Sequence, residues 1–191
     1  MADRNLKIAM ICGSLRKQSY NRKLLEVMIE KKPSHWQMKE IEIDTIPFFN
    51  QDIEAEGDPE SVQQLKEAID EAIDEADGVI VVSPEYNSGS PAVLKNALDW
   101  ASRPAKGTVL KHKPFALAGA SPGGAGTVQS QGQTRQTLLT LDAYIMPGPK
   151  IMVGSVHNKL SEDQSEIADE ATIKRVEKFL SAFEEWMLHF K

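Results

Sequence analysis

The stretch KIAMICGSLRKQSYN, residues 7–21, decides the predicted fold. Residues 8–12 form a short apolar run that ends at Gly13, which is typical of a strand buried on both faces of a parallel sheet. Small, polar and basic residues follow, and residues 22–31 then carry apolar side chains at helical spacing. The stretch therefore predicts a buried strand, a polar loop and the start of a helix.

The polar loop has the residues of an anion site. The first N–H groups of a helix lack internal partners and carry partial positive charge, so a loop that leads into a helix can bind a phosphate. Ser14 and Ser19 can donate hydroxyl hydrogen bonds, and Asn21 can cap the helix. Arg16 can neutralise charge through its planar guanidinium. The loop thus predicts a site for the phosphate of a mononucleotide, although an ordinary loop with a serine cap and a solvated arginine fits these residues equally well.

Length and composition restrict the class of protein. A chain of 191 residues with 41% hydrophobic and 26% charged residues is typical of one soluble globular domain, which we expect to span residues 1–191. A net charge of −6 without a dense basic block argues against a nucleic-acid partner. No apolar run approaches the roughly 20 residues that span a bilayer, so no membrane partner is expected. The start of the chain lacks the apolar region of a secretory signal, and with a single cysteine this predicts a cytoplasmic protein.

Cysteine and histidine point to neither covalent catalysis nor a metal. Cys12 ends the first predicted strand, and no His or Asn partner for it can be named, so we interpret it as a small buried residue. The histidines are scattered without a paired ligand spacing, and no metal site is expected.

Strands and helices alternate along the rest of the chain. Further strands are predicted at residues 35–43, 79–82, 115–118 and in a last region, 144–153, that Pro147-Gly148-Pro149 interrupts. Helices are predicted at residues 58–76, ended by Asp77-Gly78, at 90–102, at 127–141 and towards the C-terminus, with loops at residues 44–57 and 104–107. The alternation predicts an α/β fold with a doubly wound, five-stranded parallel sheet in the order 2-1-3-4-5 and helices on both faces. In that order the loops at residues 13–21, 84–90 and 121–126 meet at the carboxyl edge of the sheet, where ligands bind.

Three motifs stand out along the chain: G-S-L-R-x-x-S-x-N at residues 13–21, P-E-Y-N at residues 84–87 and L-K-N-A-L-D-W at residues 94–100. Together they resemble those of a known family, the NAD(P)H-dependent FMN reductases of flavodoxin-like fold, which include azoreductases, quinone reductases and chromate reductases. The resemblance runs from residue 7 to about residue 150. It implies FMN as the cofactor and NADPH or NADH as the hydride donor, without deciding between the two nucleotides.

The resemblance also implies which residues bind FMN. Its phosphate loop corresponds to Ser14, Arg16, Ser19, Tyr20 and Asn21. The turn that lines the isoalloxazine ring corresponds to Pro84, Glu85, Tyr86 and Asn87, and the loop at the ring's other edge to Ser121, Gly123 and Gly124. No catalytic side chain is implied, because a flavin carries the hydride chemistry itself. We therefore interpret Glu85 as a solvated or structural turn residue and Tyr86 as a contact near the flavin.

Three functions are compatible with this reading. The resemblance implies an oxidoreductase that passes hydride from NAD(P)H to FMN, and then two electrons to a quinone, azo or nitro compound, metal oxyanion or free flavin. The alternative is a flavodoxin-type electron carrier without NAD(P)H oxidation of its own. Arg16 argues against the carrier, because the phosphate loop of flavodoxins resembles S/T-x-T-G-x-T. The third possible function is that of a ligand-free regulatory domain.

The helix at residues 90–102 is apolar on two sides, which predicts contact with a second subunit as well as with the sheet. Its apolar residues are Val93, Leu94, Ala97, Leu98, Trp100 and Ala101. Deeper burial within its own domain is the alternative. We expect a homodimer or a homotetramer.

Overall fold

The computed structural model describes residues 5–74, 76–103 and 108–190. The strands are β1 (Leu6–Cys12), β2 (Trp36–Ile41), β3 (Ala76–Val82), β4 (Pro114–Ala120), β5 (Tyr144–Ile145) and β6 (Ile151–Val153). The helices are α1 (Tyr20–Lys31), α2 (Gln51–Glu56), α3 (Glu60–Asp74), α4 (Ala92–Ala101), α5 (Val128–Thr140) and α6 (Glu170–Leu188), with a 3-10 turn at Val156–Lys159. The loop predicted at residues 104–107 lies outside the described residues.

The strands pair in parallel in the order β2-β1-β3-β4-β5, which confirms the predicted doubly wound order. A sixth strand is present in addition, because the predicted last strand region is divided in two. β5 pairs with Pro114 and Phe115 at one end of β4, and β6 pairs with the other end, from Ala118 to Ala120. Pro147 and Pro149 separate the two strands, since proline lacks the N–H that a strand ladder needs.

Helices cover both faces of the sheet, and each face has its own apolar core. α1 and α6 contribute to the core on one face, where Met28, Phe179 and Phe183 are fully buried. α3 and α4 contribute to the core on the other face through residues such as Leu65 and Trp100. Removing this apolar surface from water is the main stabilising term of the fold. Among the described residues, no helix is both long enough and apolar enough to cross a bilayer.

Close packing of α6 on β3 explains one wrong boundary. Asp77 and Gly78 were predicted to end a helix, but both lie in β3. A Cβ atom at Gly78 would lie 2.6 Å from Cζ of Phe183 and 2.7 Å from Sδ of Met187, so the helix approaches this strand too closely for a side chain. The Asp77 carboxylate accepts a hydrogen bond from the backbone N–H of Lys7 at 2.9 Å.

The connection predicted as a loop at residues 44–57 contains the short helix α2, so that part of the prediction was wrong. Asn50 caps α2 by accepting the backbone N–H of Asp52 at 2.9 Å. Of the two phenylalanines in this connection, Phe49 packs edge-on against Trp100 with ring centroids 5.0 Å apart. Phe48 is 76% exposed, so only one of the pair holds the connection against the core.

The connection at residues 44–50 covers the second apolar side of α4. Trp100 is fully buried, and its Nε1 donates to the carbonyl of Pro47 at 2.8 Å. Asn96 of the same helix accepts the N–H of Phe49 at 2.8 Å and donates to Pro47 O at 2.9 Å. The two-sided apolarity of α4 is therefore explained within one chain, as in the alternative interpretation. The oligomeric state itself stays a prediction.

Candidate functional site

A cavity of about 370 Å³ opens at the carboxyl edge of the sheet, between the loops that follow β1, β3 and β4. In this strand order the boundary between β1 and β3 is the topological switch point, where doubly wound sheets bind their ligands. The cavity is lined by Ser14, Arg16, Ser19, Tyr20, Asn21, Pro84, Glu85, Tyr86, Ala120, Ser121 and Pro122. Nine of the twelve predicted FMN contacts are thus brought together at one place.

The other three predicted residues do not line the cavity. Asn87 is exposed at the tip of its turn. Gly123 and Gly124 pack towards the segment after β6, where Ser155 N–H donates to Gly123 O at 3.1 Å. A Cβ atom at Gly154 would lie 2.2 Å from Gly124 O, so the two segments touch through backbone.

Sequence reasoning missed two lining residues, Ala120 and Pro122, which flank Ser121. Both residues lie at the end of the predicted fourth strand, beside loops in which site residues were already predicted. That position is the signal that could have identified them. The glycines of the same loop were the more obvious choice, but Gly123 and Gly124 are not among the residues that line the cavity.

Ser19 caps α1, and the prediction that Asn21 is the cap was wrong. The Ser19 Oγ accepts the backbone N–H groups of Asn21 at 3.1 Å and Arg22 at 3.4 Å. The Asn21 side chain instead reaches β4, where its Nδ2 donates to Ala120 O at 3.0 Å and its Oδ1 accepts Ala120 N–H at 2.8 Å. Asn21 therefore joins two of the loops around the cavity.

The loop before α1 presents donors that fit a phosphate. In the part of the chain that the structure describes, the backbone N–H groups of residues 15–18 donate to no acceptor. The Arg16 guanidinium lies over the Tyr20 ring, 5.0 Å from its centroid, and forms no ion pair with the described residues. Consecutive N–H groups, a helix N-terminus and an available guanidinium form a site that favours a dianionic phosphate.

The loop after β3 contains a tight turn at residues 86–89. Tyr86 N–H donates to Gly89 O at 3.1 Å, and Gly89 N–H donates back to Tyr86 O at 3.0 Å. The φ angles of Asn87 and Ser88 are 49° and 61°, and positive values at both central residues are those of a type I′ turn. Pro84, Glu85 and Tyr86 precede the tip of this turn and line the cavity.

Glu85 is bound to a helix and is not a free base. Its Oε2 accepts the backbone N–H groups of Gln129 at 2.8 Å and Ser130 at 3.1 Å, at the N-terminus of α5. Thr127, which precedes α5, makes no capping bond through its own side chain. The interpretation of Glu85 as a structural turn residue agrees with these contacts.

Cys12 is buried, and burial raises the pKa of its thiol. The cause is desolvation, which disfavours the thiolate. A thiol that resists ionisation is a poor nucleophile, in agreement with the prediction of a small buried residue. Within residues 5–74, 76–103 and 108–190, no group of three or more His, Cys, Asp or Glu side chains could hold a metal ion.

The doubly wound sheet and the cavity at the switch point, beside a loop whose donors fit a phosphate, define a protein of the flavodoxin-like class, whose members bind mononucleotides. The chain belongs to the NADPH-dependent FMN reductase family, whose model matches residues 6–158. It is thus an oxidoreductase that uses FMN and NAD(P)H, as predicted. The family match therefore favours the oxidoreductase over the flavodoxin-type electron carrier and over the ligand-free regulatory domain.

Individual relatives match over almost their whole length. A quinone reductase from Pseudomonas putida is 37% identical over 180 residues, which are 94% of each protein. A 2-hydroxy-1,4-benzoquinone reductase from Burkholderia sp is 34% identical over 182 residues, 95% of this chain and 96% of that protein. Among solved structures, a flavoenzyme NAD(P)H:(acceptor) oxidoreductase from Paracoccus denitrificans has a TM-score of 0.86 and 33% identity, with 97% of this chain and 98% of that chain covered.

Proposed function

We propose that this protein is an FMN-dependent NAD(P)H:quinone oxidoreductase. The observation that carries the proposal is the cavity at the switch point, which lies between the loop before α1, with its phosphate donors, and the tight turn after β3. The quinone reductases that match over most of the chain support a quinone as the acceptor.

The described residues fit FMN in two parts. The N–H groups of residues 15–18, the Arg16 guanidinium and the hydroxyls of Ser14 and Ser19 would hold the terminal phosphate. Residues 84–86 and 120–122 would hold the ring from two sides. FMN supplies the hydride-accepting chemistry when it is bound. The task of the chain is to bind and orient it, which explains a site without a free general base.

The shape of the site supports a flat acceptor. Tyr86 is 54% exposed at the cavity, so the ring side of the site is open to a molecule that stacks. NAD(P)H and a quinone would use this opening in turn, because each must reach the same ring, and such alternation gives ping-pong kinetics. Azo and nitro compounds, metal oxyanions and free flavin are further acceptors in the proposal.

The proposal extends to the assembly and the compartment. We place the single domain of residues 1–191 in the cytoplasm, consistent with one unpaired cysteine. We also propose a homodimer or a homotetramer, whose interface could cover apolar side chains that are exposed in the single chain, such as Phe48 at 76% and Leu139 at 59% exposure. Light scattering during gel filtration tests the assembly, since a monomer has a mass of 21.2 kDa.

Steady-state kinetics test the choice of acceptor. The FMN-loaded protein is assayed with NADPH and with NADH against a benzoquinone, an azo dye and ferricyanide. We expect turnover with the quinone and parallel lines in double-reciprocal plots, the pattern of a ping-pong scheme. Turnover with the azo dye or ferricyanide but not with the quinone would reject the quinone assignment.

A further inference from the structure

The loop at residues 84–90 is bound to α5 at its start. The Glu85 carboxylate accepts two backbone N–H groups, of Gln129 at 2.8 Å and Ser130 at 3.1 Å. Both N–H groups belong to the first turn of α5, where donors lack intrahelical acceptors and the helix dipole favours a negative charge. This carboxylate therefore joins the loop to the helix through two charge-assisted hydrogen bonds.

The same loop is bound to α5 at its end, one helical turn further along. Ser90 N–H donates to Oε1 of Gln133 at 3.0 Å, and the hydroxyls of Ser90 and Thr134 are 2.7 Å apart. Nε2 of Gln133 donates to Ser88 O at 3.4 Å. A Cβ atom at Gly89 would lie 2.9 Å from Oε1 of Gln133, so the Gln133 amide lies directly against the turn.

The turn between these two attachments has an unfavourable backbone. Asn87 and Ser88 both have positive φ angles, and the left-handed region costs free energy for residues with a Cβ atom, more for Ser88 than for Asn87. Type I′ turns favour glycine at the second central position, where this chain has Ser88. Such a conformation persists where its surroundings fix it. The attachments to α5 are the contacts that do so.

We propose that Glu85 and Gln133 are positioning residues of the flavin site, which fix the turn at residues 86–89 and so hold residues 84–86 against the FMN ring. Neither side chain takes part in hydride transfer. The inference rests on the proposed function, in that FMN occupies the cavity beside this turn. It also explains why the first half of α5 is polar: its side chains serve the loop as well as the helix.

The decisive variant is Gln133→Leu, which keeps the size of the side chain and removes its hydrogen bonds. Gln133 is exposed, so the replacement does not disturb the core. Gln136→Leu is the matched control: it is an exposed residue of the same helix, and its side chain makes no hydrogen bond to the described residues. Glu85→Ala tests the other attachment, and Glu85→Gln keeps one acceptor oxygen for the helix.

Two readouts on the purified proteins are used, the Kd for FMN by fluorescence titration and the visible circular dichroism of the bound flavin. We expect Gln133→Leu and Glu85→Ala each to raise Kd by about tenfold, from the loss of hydrogen bonds that hold the turn. Both should also change the circular dichroism of the ring. Gln136→Leu should have the same Kd for FMN and the same circular dichroism as the parent. Arg16→Ala should weaken binding and leave the ring signal unchanged, because its contact is the phosphate.

A rescue experiment separates positioning from general stability. Adding Ser88→Gly to Gln133→Leu relieves the left-handed strain and should return Kd to within about threefold of the parent. If Gln133→Leu binds FMN with the Kd and circular dichroism of the parent, the positioning role is wrong. The role is equally wrong if binding is weakened but Ser88→Gly restores nothing. A parent protein that binds no FMN at all would instead reject the proposed function, and the positioning role with it.

Discussion

The side chain of Asn21 and the backbone of Ala120 form a closed pair of hydrogen bonds. Nδ2 donates to the carbonyl at 3.0 Å while Oδ1 accepts the N–H at 2.8 Å. A primary amide presents the same donor and acceptor as a peptide group, so Asn21 pairs with Ala120 as a neighbouring strand would. The pair joins the start of α1 to the end of β4 and so fixes two of the three loops around the cavity.

Replacing Asn21 by alanine should therefore destabilise the protein. Both hydrogen bonds are buried, and their loss leaves two polar groups of Ala120 without partners, which costs about 3 kcal/mol of the free energy of unfolding. Urea denaturation of the FMN-free protein measures this. Gln37→Ala, at an exposed position of β2, is the control and should change the free energy by less than about 0.5 kcal/mol. A loss below about 1 kcal/mol for Asn21→Ala would mean that the pair contributes little.

Arg16→Ala should weaken FMN binding by about 2 kcal/mol, or roughly thirtyfold in Kd, because charge-assisted bonds to the phosphate are lost. The affinity for riboflavin, which lacks the phosphate, should stay unchanged. Arg103→Ala is the matched control, since Arg103 is exposed and bonds to Glu54 away from the cavity. Fluorescence titration with both flavins makes the comparison. Equal FMN affinity in Arg16→Ala and the parent would show that Arg16 does not bind the phosphate.

Cys12 should be inert in the folded protein. Burial raises the pKa of its thiol, so little thiolate is present near neutral pH, and the side chain is only 3% exposed. We expect iodoacetamide to label Cys12 only after unfolding in guanidinium, as measured by mass spectrometry. Cys12→Ser should retain flavin reduction while losing some stability, because it places a hydroxyl in a buried site. Rapid labelling of the native protein would contradict this account.

Asp169 should make stability depend on pH in the acid range. The hydroxyl and N–H of Thr172 donate to its Oδ2 at 2.6 and 2.8 Å, and these bonds lower the pKa of the carboxyl below its ordinary 3.8. Because the folded pKa is depressed, the stabilisation is complete above 3.8 and is lost as the pH falls further. Asp169→Asn keeps an oxygen that caps α6 but cannot be protonated in this range, so its stability should fall less on acidification.

Urea denaturation of the parent and Asp169→Asn at several pH values between about 5 and 3 checks this prediction. Asp44→Asn is the control, because Asp44 is exposed and its side chain bonds to none of the described residues. The same pH dependence in the parent and in Asp169→Asn would remove the role assigned to this carboxylate.

Local patterns were sufficient to predict the order of the sheet, and they failed where a distant segment decides the local structure. Helix α2 was missed because its six residues bury no side chain, so no apolar period marks it. Gly78 was predicted to end a helix, but it lies in β3 and pairs with Ile8 of β1, at a point where Phe183 and Met187 approach too closely for a side chain. The prolines between β5 and β6 were recognised in the sequence as an interruption of the last strand region. That the interruption yields two separate strands beside β4 could not be predicted, because it depends on how each segment pairs with β4.

The same limit applies to the site. The sequence predicted that the three loops meet at one edge of the sheet. Each loop follows a strand that can be recognised from its own segment of sequence, and the carboxyl ends of parallel strands lie at the same edge. The partners of Asn21 and Glu85 could not be predicted, since they lie 99 and 44 residues away. A polar side chain in a site loop is compatible with contact to a ligand and with contact to another loop, and only the fold distinguishes the two.

The central claim is that this protein oxidises NAD(P)H through its own bound FMN. The most direct test is anaerobic stopped-flow mixing of the FMN-loaded protein with NADPH, and in a second run with NADH, while the absorbance of oxidised flavin is recorded. A benzoquinone is added after reduction. Glu85→Gln and Tyr86→Phe are measured at full FMN occupancy and should reduce within about tenfold of the parent rate, a change below roughly 1.4 kcal/mol in the barrier.

The account predicts that the absorbance of oxidised flavin disappears with at least one of the two nucleotides and returns when the quinone is added, with two electrons transferred per FMN. Bound FMN that stays oxidised with both NADPH and NADH, although dithionite reduces it, would contradict the claim.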